Sequence, residues 1–411
     1  MRKKILLAVL FLPMFVCAQW QYLGNPNFID GNITFRSMDV HQGTPYIAFN
    51  DLSVMKFDGM NWTNVGSPEF ISNVSNEDDG GVYIKIHPNG EPHIAFINSN
   101  TGGGSPVVMK FNGTDWVNLN SNIINESDWF AFDIDQQGNL YMAYAVDDLS
   151  VINIAMYNGV YWEVLESIID PEVVEGDGFS LKISTNNIVY LIRSFYLGGG
   201  YDQLRLYKLQ DQSWQVLSDY SCQECFLPEE LRNTFAVGEN PYLVFPIDVN
   251  NKYETLEVLE YNQETNAWDN LDFPTLQELE WPFSISVNNN GTPYILYTDE
   301  SQCGDDYSTV YKLNNGSWEL VGNPCFQAVS ALSSALVFDN GIPYSLSEES
   351  EASVMWLPSK SASNTEEIES VTKNGPKLIT NLFGQETTIT KNSVLFYIYE
   401  GGFVEKRIIF D

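Results

Sequence analysis

Carboxylates recur at one kind of place in this chain. Glu77 with Asp78 and Asp79, Glu126 with Asp128, Glu175 with Asp177, Glu229 with Glu230, and Glu278 with Glu280 each stand at the approach to a short apolar run. Hard cations want several carboxylate and carbonyl oxygens together, so calcium is the candidate cofactor, with Asp78, Asp79, Asp128 and Asp177 as candidate ligands. The same acids also serve solubility, since the 411-residue chain carries 54 acidic against 20 basic residues and a formal net charge of -34. Both readings stand. Trp129 and Trp281 sit beside these acids, and Tyr196 and Tyr201 flank the run Gly198-Gly199-Gly200. An exposed aromatic face with acids and amides around it can stack on a sugar ring and bond its hydroxyls, while the same side chains can equally fill a core.

Other chemistry is thinly represented. Nucleophile elbows, phosphate-binding loops, HExxH and dinucleotide fingerprints are absent. Carboxylate pairs for glycoside hydrolysis are available in number, but nothing singles one out. The histidines are His41, His87 and His93, and no second CxxC accompanies Cys222 and Cys225, which speaks against a zinc site. Sparse Lys and Arg exclude nucleic acid as a partner, because that binding needs clustered positive charge.

These residues are positioned by a repeat. A short turn followed by a strand recurs as Gly43-Thr-Pro-Tyr-Ile-Ala-Phe49, Gly90-Glu-Pro-His-Ile-Ala-Phe96, Gly291-Thr-Pro-Tyr-Ile-Leu-Tyr297 and four further versions, with the aromatic or His at 46, 93, 141, 190, 242, 294 and 344. A second marker interleaves with it, a strand and polar turn leading into Trp: Lys56-Phe-Asp-Gly-Met-Asn-Trp62, Lys110-Phe-Asn-Gly-Thr-Asp-Trp116 and their equivalents at Trp162, Trp214, Trp268 and Trp318. Polar Gly/Asn turns between aromatic and β-branched runs are hairpin signals, so each unit of about fifty residues is a four-stranded meander. The seventh unit lacks its Trp strand, and Trp20-Gln-Tyr-Leu-Gly24 supplies it, matching Trp62-Thr-Asn-Val-Gly66 and Trp318-Glu-Leu-Val-Gly322. An all-β, seven-bladed β-propeller over residues 19–358, closed by its N-terminal strand, is the expected fold.

Strand order sorts the loops. The turns between strands 1 and 2 and between 3 and 4 are short and share one face, while the longer and more variable connections share the other, where binding is expected. All four cysteines of the mature chain fall in those connections. An even count in an exported protein favours two disulfides, and Cys222 with Cys225 and Cys303 with Cys325 is the chosen pairing among three. The Gly-x-x-Trp turns resemble part of the Asp-box repeat of sialidases. They lack its upstream Ser-x-Asp, and with only Arg36, Arg193, Arg205 and Arg232 outside the chain ends, sialidase activity is not expected.

The ends carry an address. Residues 1–18 read as a signal peptide, with Arg2, Lys3 and Lys4 ahead of an apolar run too short for a membrane span. Residues 359–376 read as a linker, and 377–411 as a small β-sandwich-like domain. Leu382-Phe-Gly-Gln-Glu386 and Glu405-Lys-Arg-Ile-Ile409 resemble the strand with its Gly-containing turn and the basic closing strand of the C-terminal sorting domain of type IX secretion system cargo, found in Bacteroidetes-type bacteria. That resemblance implies the type IX machinery as a partner and a secreted or outer-surface location. A monomeric binding protein for a glycan or a surface protein, and not an enzyme, is expected from these features, with an extracellular carbohydrate-active enzyme using channel-mouth carboxylates as the alternative.

Overall fold

Alternation sets the strands. In Met38-Asp39-Val40, Ile84-Lys85-Ile86, Phe132-Asp133-Ile134 and Leu181-Lys182-Ile183 a charged residue lies between two apolar ones, the period-two pattern of a strand with two different faces. In the computed structural model each of these is the innermost strand of a four-stranded antiparallel sheet. The structure describes residues 19–358 apart from 27, 29–36, 50, 68–80, 99–103, 120–126, 128, 147–150, 171–174, 197–201, 211–212, 223–230, 249–252, 276–278, 300–306, 329–333 and 349–351, together with 378–380, 393–398 and 404–409.

Seven sheets follow one another along the chain, blades 1 to 6 spanning 37–64, 83–118, 130–169, 175–222, 235–270 and 279–320. In blade 6 an extra short strand, Gln327–Ala328, pairs with the third strand. Blade 7 takes three strands from 334–356, and its fourth is Gln21–Tyr22, with Gln21 opposite Trp356 and Tyr22 opposite Met355. The expected ring closure is therefore present in the hydrogen-bond register. Buried apolar clusters join blade 1 to 2, 2 to 3 and 4, 4 to 5, 5 to 6, 6 to 7, and 7 back to 1, so the core is a continuous belt between blades.

The Trp marker staples this belt. Trp62 Nε1 donates to Leu23 O at 3.0 Å, Trp116 to Val65 O at 3.0 Å, Trp318 to Leu271 O at 2.8 Å and Trp20 to Val321 O at 3.0 Å. Each acceptor lies three residues after the Trp of the preceding blade. The next residue must turn the chain away before the incoming indole, and Gly24, Gly66 and Gly322 do so at φ 77°, 78° and 76°. Where the fourth strand runs long, at Trp162–Ile169 and Ser213–Cys222, this turn is missing. The indoles that follow, Trp214 and Trp268, find no acceptor among the described residues.

A Cβ at Gly66 would stand 3.0 Å from the Phe111 ring and 3.1 Å from Trp116 Nε1. Gly66→Ala is expected to cost about 1–3 kcal/mol in urea unfolding, from the disfavoured φ and the displaced indole together. Gly59→Ala, at φ 99° with open space around it, isolates the backbone cost alone.

The chain divides into two compact units, Met1–Leu357 and Pro358–Asp411. In the second, Leu378–Thr380, Ser393–Ile398 and Val404–Ile409 form one three-stranded antiparallel sheet. The signal-peptide and linker stretches, 1–18 and 359–376, lie outside the described residues. Among the described residues no helix is long and apolar enough to cross a membrane.

Candidate functional site

The innermost strand of a blade leaves one edge unpaired, and its N–H groups need acceptors from elsewhere. In blades 1 to 4 the channel side chains supply them. Asp39 accepts from Ile86 N of the next blade at 2.7 Å and from Val40 N at 2.9 Å. Asp133 repeats the arrangement one blade pair further on, accepting from Ile183 N at 3.0 Å and Ile134 N at 3.0 Å. Ser37 Oγ takes Ile84 N at 3.1 Å.

Cross-strand register shows that these carboxylates belong to a layer. Asp39 pairs with Tyr46, Lys85 with His93, Asp133 with Tyr141, Lys182 with Tyr190, Ala236 with Tyr242, Ser286 with Tyr294 and Val337 with Tyr344. The equivalent channel positions thus read Asp, Lys, Asp, Lys, Ala, Ser, Val around the ring, with charge alternating over four blades and small or apolar residues on the other three. Lys85 Nζ lies 2.8 Å from Asp133 Oδ1. Arg232, in the turn that leads into the inner strand Phe235–Val237 of blade 5, reaches across the channel to blade 2. Its guanidinium sits 3.3 Å from the centroid of the Tyr83 ring and donates to Val82 O at 3.1 Å. These groups surround a cavity of about 290 Å³.

The charges act on one another. Burial raises the pKa of the Asp39 carboxyl, against the pull of Lys85 and its two N–H donors. Burial works against the Lys85 ammonium, but Asp133 and Asp39 more than offset it and its pKa is raised. Lys182 has no hydrogen-bond or ion-pair partner among the described residues. Burial, with Lys85 and Arg232 adding repulsion and Asp133 too little attraction, pushes its pKa down to about 7. An amine titrating at neutrality beside a cavity is able to take a proton from a bound molecule.

The expected site residues lie elsewhere. Trp129 is half-buried and packs on the core between blades 2 and 4, its carbonyl accepting from Ser127 Oγ and Ala145 N at 2.8 and 3.1 Å. The backbones of Trp281 and Tyr196 lie in strands Leu279–Val287 and Val189–Tyr196, and Asp177 is the extra residue of a bulge between Gly176 and Gly178; the side chains of all three lie outside the described residues. Tyr201, Asp78, Asp79 and Asp128 lie outside it altogether, as do Cys225 and Cys303. Cys325 is disulfide-bonded, while Cys222 ends its strand opposite Asp202. No group of three metal-binding side chains comes together among the described residues.

Histidine and arginine are largely structural. His87 packs over Gly138 and next to His93, whose burial lowers its pKa to about 4. Arg205 is clamped by Asp219 at 2.6 and 3.0 Å and by Asp170, which also accepts from Tyr207 Oη at 3.1 Å. Lys182, Lys85 and Arg232 were not singled out by residue type. For the two lysines the signal was a charged residue between two apolar ones in an inner strand, visible once the repeats are aligned on strand 1 instead of on the turns, while Arg232, in the turn ahead of Phe235–Val237, carries no such signal.

No family model and no curated protein matches the chain. Solved structures do. Polysaccharide lyase Uly1 matches over 83% of this chain and 97% of its own at a TM-score of 0.50 and 11% identity. A protein from Lactobacillus plantarum covers 88% and 96% at 0.48 and 10%, and the GH74 xyloglucanase from Xanthomonas campestris covers 80% and 54% at 0.47 and 11%. At these identities what is shared is the propeller. The expectation of a chain outside the enzymes is corrected here, because the propeller is shared with a polysaccharide lyase and so is a fold that carries enzymes. The channel also holds an amine suited to proton transfer, which the loop-centred expectation had overlooked.

Proposed function

We propose that this protein is an exported carbohydrate-active enzyme whose reaction takes place in the propeller channel, with Lys182 Nζ as its base. The observation that carries the reading is an amine lining the axial cavity, with no hydrogen-bond or ion-pair partner among the described residues and a pKa lowered by burial to about 7. Carbohydrate as substrate is supported by the polysaccharide lyase and xyloglucanase among the similar structures. A carboxylate pair at the channel is a weaker source of catalysis, since Asp39 and Asp133 are each engaged by two backbone N–H groups. The address is part of the proposal: the signal at 1–18 and the tail from 377 would send the chain through a type IX system to the outside or the outer surface.

The experiment incubates the secreted protein with a panel of polysaccharides and reads both new reducing ends and the ultraviolet absorbance of unsaturated products. Cleavage of at least one substrate is expected, with Lys182→Met losing about 100-fold or more of kcat/KM. Full activity in Lys182→Met would refute the assigned base. In the same strain, removal of residues 365–411 is expected to leave the protein periplasmic, and continued secretion would refute the address.

A further inference from the structure

The seam between blades 7 and 1 holds a second cavity, of about 740 Å³. Gln21, Tyr344 and Trp356 line it from blade 7, and Gly43, Phe57 and Gly59 from blade 1, which places it toward the face of the short turns. Register aims the side chains. Tyr344, Trp356 and Gln21 are successive partners across three strands and share one side, and Tyr344 belongs to the apolar cluster that includes Ile47 and Phe49 of blade 1. Phe57 pairs with Trp62, whose indole reaches Leu23 O of blade 7, so Phe57 faces back across the gap.

The blade 7 wall departs from the repeat. Opposite the repeated Tyr or His, the third strand carries Lys56, Lys110, Met156, Lys208, Glu260 and Lys312 in blades 1 to 6, and Trp356 in blade 7. The Trp356 ring is half-buried and lies 6.3 Å from that of Tyr344 at 21°. Their polar atoms are left over. In blade 5 the Tyr242 hydroxyl donates to Glu260 at 2.8 Å, whereas the hydroxyl of Tyr344, 3% exposed, has no hydrogen-bond partner among the described residues, and neither has the Trp356 N–H. Both atoms keep some open surface, unlike the sealed indole nitrogens of Trp162, Trp214 and Trp268. The described charged groups on the lining, Lys56 and Asp58, are of opposite sign.

We propose that this cavity holds a neutral sugar residue of a polysaccharide, its apolar face on Trp356 and a hydroxyl on Tyr344 Oη. Aromatic rings beside a gap, with free O–H and N–H groups at their edges, suit a molecule with an apolar face and a hydroxylated rim. A nearly buried hydroxyl without a partner gains most from such a ligand. The class of ligand rests on the function proposed above, but the place does not. The channel is lined from the first strands, and this cavity from the second, third and fourth strands and the turns between them. It would hold a polysaccharide without cutting it.

The test is calorimetric titration of the secreted protein carrying Lys182→Met, so that bound sugars are not consumed. The probes are cellohexaose, xylohexaose, mannohexaose, tetragalacturonate and a proline hexapeptide. At least one neutral hexasaccharide is expected to bind, with an affinity indifferent to salt. Adding Trp356→Lys, which restores the residue of four other blades, is expected to weaken binding at least ten-fold, about the worth of a lost stacking contact. Tyr344→Phe, which keeps the ring and removes only the hydroxyl, is expected to weaken it about two- to five-fold and serves alone where Trp356→Lys lowers the melting temperature. No binding of a neutral hexasaccharide, tighter binding of tetragalacturonate, binding of the peptide alone, or saccharide binding unchanged in both variants overturns the inference. Cleavage of a polysaccharide by the parent alongside any of these results leaves the proposed function intact. Saccharide binding lost with Trp356→Lys, but no polysaccharide cleaved by the parent, upholds the inference and sinks the proposed function alone.

Discussion

Trp20→Ala is expected to lower the melting temperature more than any comparable truncation at a single blade interface. The side chain is 5% exposed, stacks on Phe326 at a centroid distance of 4.2 Å, and bonds Val321 O. A Cβ at Gly322 would lie 2.8 Å from its indole, a measure of how closely the site is filled. Removing a buried Trp costs about 3–5 kcal/mol from lost burial and the remaining cavity. Here the loss falls on the seam where Gln21–Tyr22 holds blade 7 by two register pairs, so the ring has little else with which to stay closed. The same strand also accepts the Trp62 indole through Leu23 O, which couples the seam to blade 1. Deleting 20–24 should therefore abolish the cooperative transition, whereas Trp116→Ala, at an interface held by continuous chain, should only shift it. Equal effects at Trp20 and Trp116 would contradict a special role for the seam.

The parts of the fold set by local chemistry were readable from the sequence. The turn ahead of the aromatic or His recurs seven times and the turn into Trp six times, both local hairpin devices, and counting them exposes the missing strand at one end and the spare one at the other. The staple itself was only half visible. Trp-x-x-Val-Gly was recognised as a match between units, but not that its Gly clears the next blade's indole, because that partner is about fifty residues away. The site was read less well for a physical reason. Acid-rich connections draw attention by composition, yet at this overall charge composition carries little information. Lys182 is one lysine among several, and what distinguishes it is burial beside Lys85 and Arg232 with Asp133 too weak a counter-charge. The seven channel positions reach one layer only through register, which depends on the spacing between strand and turn in every unit.

Lys182→Met is expected to stabilise the fold while abolishing its chemistry, with a pH dependence that identifies the amine. In the unfolded chain the lysine holds its proton up to its ordinary value of 10.5; in the folded channel it holds it only up to about 7. Between those values the unfolded state binds the extra proton, so folded stability from this group climbs with pH. Below pH 7 both states are charged, and the folded one bears the full cost of a buried ammonium facing Lys85 and Arg232, relieved only in part by Asp133. The Met variant escapes that cost. The side chain is only partly buried, so the gain is set well under the full shift, at about 1–2 kcal/mol and a few degrees of melting temperature at pH 6. The advantage over the parent should shrink steadily above pH 7 and vanish near 10.5. Groups outside the channel titrate alike in both proteins, so the difference at each pH reports Lys182 and the charges coupled to it, Lys85, Asp133 and Arg232. A variant less stable than the parent at all pH values would make Lys182 a structural member of the ionic arc, in which case the base of the proposed reaction must be sought elsewhere in the channel. A variant more stable at low pH and inactive throughout would mark the trade of stability for reactivity expected where a protein keeps an unpaired charge in place for use.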